Sequence, residues 1–168
     1  MKGLVCVLAL ASAGCGYHVS GHAATIPKSI HTIAVPAFAN VTTHYELARM
    51  LPEDITRELI SRAHYQVVAD PNGADAVLKG SVINYAAFPT TVAPTGQATG
   101  VEVIVNVQFT LTDRATGKVL VQRNSYEIRE RYQVSVNPQT YFDESGTAVQ
   151  RVSRDAARSI VSAVLEDF

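Results

Sequence analysis

The 168-residue chain is short of cysteine, of long apolar runs and of positive charge in excess. Each shortage excludes something. Crossing a bilayer takes about 20 consecutive apolar residues. The uncharged run from Gly3 to Ala11 is shorter than that, and no later stretch is both longer and as apolar, so no transmembrane helix is expected. Fourteen Lys and Arg nearly balance fifteen Asp and Glu, which removes the basic excess of a nucleic-acid binder. Catalytic patterns are missing too. The chain has no His-Glu-x-x-His, no glycine loop followed by a phosphate-binding lysine, and no Gly-x-Ser-x-Gly elbow. His18 and His22 are spaced to share a helical face as metal ligands, but they lie in a Gly-rich stretch without companion cysteines or acids. No metal site, cofactor or enzymatic activity is expected.

What is present begins at the N-terminus. Lys2, the apolar run, and then Ser12, Ala13 and Gly14 ahead of Cys15 have the layout of a secretory signal peptide. Residues 1–14 are therefore expected to be removed, 15–28 to form a tether, and 29–168 to form one domain, since about 150 residues suffice for a single substantial core. Loss of Lys2 leaves thirteen basic against fifteen acidic residues, a balance of −2. Cys6 is the only intrachain disulfide partner for Cys15, and it falls in the removed segment. The fold must then rest on its apolar core and whatever partner it binds.

Periodicity outlines the domain. His31 to Phe38 reads as a strand with Pro36 suited to an edge or a strand end. Thr43 with Glu46 forms a capping-box pattern, and Leu47, Leu51, Ile55 and Leu59 give the helix after it one apolar stripe. Pro52 either kinks that helix or starts its main part, with Glu53 and Asp54 as first-turn acids in the second case. Tyr65 to Val68 is a short strand, followed by the turn Asp70-Pro71-Asn72-Gly73. Ala76 to Phe88 is a longer strand, with Val77, Ile83 and Tyr85 on one face and Leu78 and Val82 on the other. Pro89 to Gly100 carries no charge and reads as a long loop or hairpin tip. From Val101 to Thr112 apolar and polar residues alternate, with Ile104 as the exception, the signature of a strand with one buried face. Asp113 to Gly117 is a hairpin turn, and Lys118 to Tyr132 returns as its charged partner strand. After the breaker Asn137-Pro138, a last helix runs from Asp143 or Ser145 to Glu166, with Val149, Val152, Ala156, Ile160, Ala163 and Val164 as its stripe.

The expected fold is α+β, an α/β sandwich with two helices packed on one face of a mixed, mostly antiparallel sheet of four to five strands. Two helices cover only one face of such a sheet, which leaves the other to solvent or a partner. Arg114 and Lys118 flank the hairpin turn, where they are free to meet an anionic ligand. The interleaved charges from Arg123 to Arg131 suit a solvated, ion-paired edge that discourages aggregation. The uncharged loop, with Phe88, Val92 and Pro94, is a candidate contact with a partner protein.

These features carry a resemblance. A cysteine directly after small residues resembles the bacterial lipobox, here with Ser12 where Leu is usual. That implies acylation of Cys15, and three acyl chains suffice for a stable membrane anchor. Cys15-Gly16-Tyr17-His18-Val19-Ser20-Gly21, then Ile26-Pro27, Ile30 to Pro36, a helix after Tyr45-Glu46 and a closing amphipathic helix resemble the LPS-assembly lipoproteins of the LptE family. The resemblance implies an outer-membrane lipoprotein on the periplasmic side. In that role it plugs and helps assemble the β-barrel LptD, through which lipopolysaccharide reaches the outer leaflet. Arg114 and Lys118 are then candidate lipopolysaccharide contacts. Gly16 brings no acidic inner-membrane retention signal. Ile33 to Thr42, a helix and Tyr65 to Val68 also resemble lipoproteins of the CsgG and LpoB type, which form secretion pores or activate peptidoglycan synthases. Those usually insert helices between strands, which the all-β middle from Ala76 to Tyr132 does not suit.

Overall fold

The computed structural model describes residues 26–134 and 138–166, so the expected signal peptide, Cys15 and the expected tether up to residue 25 lie outside the described residues. In chain order the elements are β1 (Thr32–Ala34), β2 (Ala39–Asn40), α1 (Tyr45–Ala63), β3 (Gln66–Val68), a 3-10 turn at Pro71–Gly73, β4 (Ala76–Val92), β5 (Ala98–Asp113), β6 (Val119–Gln133) and α2 (Pro138–Glu166). They form one sheet in the order β3-β1-β4-β5-β6, with β2 beside β4. Strands β1, β2 and β3 pair in parallel, whereas β4, β5 and β6 form a long antiparallel meander. The expected α+β class holds. The strand count rises to six because Pro36, which has no N–H to donate, follows β1. Val35 still donates to Val68 O, and the chain rejoins the sheet as β2, held by Val41 N donating to Val82 O at 3.1 Å.

The alternation in β5 decides which face is inside. Val103, Val105, Val107, Phe109 and Leu111 are buried against the helices, each such side chain contributing about 1.5–3 kcal/mol. On β4 a bulge changes the expected facing. Val82 pairs with Val107 and Asn84 with Asn106, so Ile83 is the extra residue. A bulge shifts the two-residue period by one, and Tyr85 therefore joins Leu78 and Val82 on the helix side. Val77 lies on the opposite face, in a small cluster with Ala34, Ala74 and Val68. At Gly80 an added Cβ would fall on the buried ring of Phe38, which needs that gap.

The capping box is not formed. His44 is the N-cap of α1, without a side-chain cap bond. Its ring stacks on Tyr85 with centroids 3.8 Å apart, and its amide donates to Thr42 Oγ1. Thr42 is held in turn by Asn40 Oδ1, which accepts from both its amide and its hydroxyl. Helix α1 runs through Pro52 rather than starting there, so Glu53 and Asp54 are interior, not first-turn, residues. Helix α2 begins at Pro138, earlier than expected, because proline is favoured at the first helical position. Asp143 and Glu144 consequently fall in its second turn.

The two helices meet along a seam with a polar centre. Asp54, only 2% exposed, accepts from Ser153 Oγ at 2.5 Å and pairs with Arg57. Arg158 Nε lies 3.5 Å from Glu58, and Arg62 Nη1 donates to Ser162 Oγ at 2.8 Å. Around Asp54 the packing is apolar, through Leu51, Ile55 and Leu59 with Val152, Ala156 and Ile160. At the other end of the sheet, Asp75 Oδ2 accepts from the amides of His31 and Thr32, each at 2.9 Å, and fixes the start of β1. Those two bonds hold the Asp75 carboxyl below its usual 3.8.

Asp54→Ala is expected to destabilise the chain by about 2–3 kcal/mol, because it strands the buried Ser153 hydroxyl. With Ser153→Ala, a urea double-mutant cycle should return a coupling energy above about 0.5 kcal/mol; strict additivity would contradict the seam bond. Asp75 stabilises only while ionised, so its contribution is present above the unfolded value near 3.8 and is lost as pH falls through the lower folded value. Asp75→Asn should therefore lower the urea midpoint at pH 7, and the two midpoints should converge towards pH 2.

Candidate interaction surface

Helices α1 and α2 cover one face of the sheet, and across the meander the other face is laid out in polar rows. Lys79, Thr110 and Gln122 form one row, and Asn84, Asn106 and Glu127 another. Asn84 Nδ2 donates to Asn106 Oδ1 at 3.2 Å, and Asn106 Nδ2 reaches Ser125 Oγ. Farther along, Phe88, Glu102 and Arg131 stand side by side, next to the row of Ala86, Ile104 and Arg129. Arg131 Nε donates to Glu102 Oε1 at 2.8 Å and Arg129 Nε to Glu127 Oε1 at 2.7 Å. The charged half of β6 is thus the ion-paired edge that the sequence suggests.

The uncharged segment is mostly strand. β4 continues to Val92 and β5 starts at Ala98, so the connection is confined to Ala93–Gln97. Ala93 N donates to Gln97 O, and Gly96 takes a φ of 83° that a non-glycine residue would resist. Pro89 is tolerated because β4 pairs only with β5 beyond Val82 among the described residues, which makes this stretch an edge. Phe88 is 52% and Val92 55% exposed, and Pro94 lies in the tip. Together they put apolar surface on a protruding, otherwise polar hairpin.

Arg114 and Lys118 are at the opposite end. Asp113 Oδ1 accepts from Ala115 N and Thr116 N and so shapes their turn, with Gly117 at φ 70°. Arg114 Nη1 donates to Ala74 O at 3.2 Å, which ties the guanidinium to the loop before β4, while Lys118 is exposed. Between this turn and the β4–β5 tip lie the 16 residues of β5, or about 50 Å of strand. The two sets of candidate contacts therefore do not share a site. The chain also comes in at the Arg114 end, since β1 runs parallel to β4 from Ile33 beside Ala76.

Under the distal part of the meander, Glu130 is pushed above the ordinary carboxylate range, first by burial and then by the negative charge of Asp155. Burial raises the Tyr85 hydroxyl as well, with Tyr132 adding to it. Among the described residues, neither forms part of an acid–base pair with a nucleophile. Among the described residues no group of three or more His, Cys, Asp or Glu could hold a metal, and no helix is long and apolar enough to cross a membrane. A groove at the helix seam, lined by Arg57, Arg154 and Arg158 together with Asp54 and Glu58, leaves almost no mark on the sequence pattern. Its one signal was Asp54, a charge placed three residues after Leu51 on the apolar stripe of α1.

Known proteins divide into two kinds of likeness. By structure, the chain is similar to the rare lipoprotein B of Shewanella oneidensis, with a TM-score of 0.52 and 20% identity over 80% of this chain and 94% of that one. It is also similar to a protein of Xanthomonas campestris, with a TM-score of 0.57 and 12% identity over 85% and 90%. A lipoprotein B of Nitrosomonas europaea gives 0.52 and 13% over 89% and 90%. At these identities the likeness shows the fold. No curated protein matches by sequence. The family model described as LptE, lipopolysaccharide-assembly, matches residues 30–164, from the lead into β1 almost to the end of α2. The family is a non-enzymatic component of lipopolysaccharide assembly, and the chain belongs to it.

Proposed function

We propose that this chain is a lipoprotein anchored through Cys15 to the periplasmic side of the outer membrane, where it plugs and helps assemble the LptD β-barrel for transport of lipopolysaccharide to the outer leaflet. The observation that carries the reading is the sheet face left uncovered by α1 and α2 and extended by a hairpin some 50 Å from the incoming chain. A plug must present hydrogen-bonding groups to a polar lumen wall. Asn84, Asn106, Gln108, Thr110, Gln122 and Glu127 supply a face of that chemistry.

Half-exposed Phe88 and Val92, with Pro94 at the tip, are the apolar contacts in this reading. They add buried area where the polar rows add register. Arg114 and Lys118 are the candidate contacts for lipopolysaccharide phosphates. The Ala74 bond of Arg114 uses one guanidinium donor and leaves others on the same group.

Affinity purification of the tagged chain from detergent-solubilised outer membranes should recover a large β-barrel in near-equal amount, identified by mass spectrometry. Recovery of a ring of this chain, or of a peptidoglycan synthase, would overturn the reading. Val92→Asp should reduce the recovered barrel several-fold while leaving the thermal midpoint of the purified chain unchanged, since Val92 is outside the core. Unchanged recovery would remove the hairpin from the interface.

A further inference from the structure

The helix layer carries a feature that the partner reading does not use. Between α1 and α2 lies an open groove of about 410 Å3, lined by Asp54, Arg57, Glu58, Ile60, Ser61, Arg154 and Arg158. Three arginines from two helices thus line one depression. Arg154 makes no hydrogen bond or ion pair among the described residues. Arg57 is held through one nitrogen by Asp54, and Arg158 through two, to Glu58 and to Asp155. A guanidinium has five N–H donors, so each of these groups keeps unused ones.

The acids in the groove do not cancel this. Both oxygens of Asp54 are occupied, by Arg57 and by the buried hydroxyl of Ser153, at the floor of the groove. Glu58 is largely covered and paired with Arg158. Arg154 and Arg158 are one helical turn apart on α2, hence neighbours on its surface. Their fork-shaped donors match the oxygens of a tetrahedral anion better than a point charge would. Ile60, 50% exposed, adds an apolar contact at the same groove.

We propose that this groove binds a phosphate group, with Arg154 as its principal free donor, Arg57 and Arg158 as flanking donors, and Ile60 against any alkyl portion of the ligand. It is remote in sequence from both sets of candidate contacts on the sheet and stands independently of the barrel reading. The ligand is either a lipid headgroup phosphate or free phosphate.

Detergent-solubilised full-length chain, labelled with 15N, is titrated with inorganic phosphate and separately with dihexanoyl phosphatidic acid below its micelle concentration, while the arginine side-chain NMR signals are followed. Saturable shifts are expected, with affinity about tenfold weaker in Arg154→Gln. The unfolding midpoint should be unchanged, because Arg154 has no partner to lose among the described residues. Lys79→Gln, on the opposite face of the sheet, should bind as the parent does. Tighter binding of the lipid than of inorganic phosphate identifies a headgroup, and equal binding identifies the free anion. Linear, non-saturating shifts, or an affinity that Arg154→Gln leaves untouched, would overturn the proposal.

Discussion

Burial of one face of the sheet under α1 and α2 is the interaction on which the rest of this molecule depends. No cysteine follows Cys15 in the sequence, so no disulfide can staple the domain. Its stability comes chiefly from one apolar layer in which Val103 to Leu111 of β5 meet Leu47 to Leu59 of α1 and Val152 to Val164 of α2, with only the small cluster of Ala34, Ala74 and Val77 on the opposite face. Everything outside that layer is free to serve another purpose. The same arithmetic that makes the core, two helices on a six-stranded sheet, also leaves a broad polar face that no described element covers.

The helix seam and the open face are solutions to different problems. At the seam, small residues such as Ser153, Ala156 and Ala157 let α2 lie close to α1. Close approach buries Asp54, and a buried carboxylate must find donors. Ser153 and Arg57 provide them and bring neighbouring arginines to one groove. On the sheet, long strands project well beyond the short β1, β2 and β3, so the distal meander is supported on fewer sides than the proximal part. Its edge is kept from pairing with other chains by interleaved Arg and Glu on β6 and by Pro89 on β4.

Legibility in the sequence followed the range of the interaction. The alternation in β5, the Asp113 to Gly117 turn and the α2 stripe are local patterns, and each is where the sequence places it. The capping box at Thr43 and Glu46 failed because a long-range stack of His44 on Tyr85 and the Asn40–Thr42 turn set the helix start instead. Ile83 looked like any strand residue, and its bulge is visible only from the register with β5. Asp54 read as a helix-dipole acid because its partner Ser153 lies 99 residues away. Among the candidate contacts, composition alone singled out Phe88, Val92 and Pro94, but it could not tell that Arg114 and Lys118 sit at the other end of the same strands.

A partner covering the open face and its hairpin in the membrane would shield the row of Phe88, Glu102 and Arg131 from solvent. Phe88→Cys, placed in a row with Glu102 and Arg131, offers a direct reading through its rate of reaction with a polar maleimide. Modification of the purified chain is expected to be fast, and modification in intact outer membranes at least about tenfold slower, because a partner would exclude the reagent. Equal rates in the two states would contradict it.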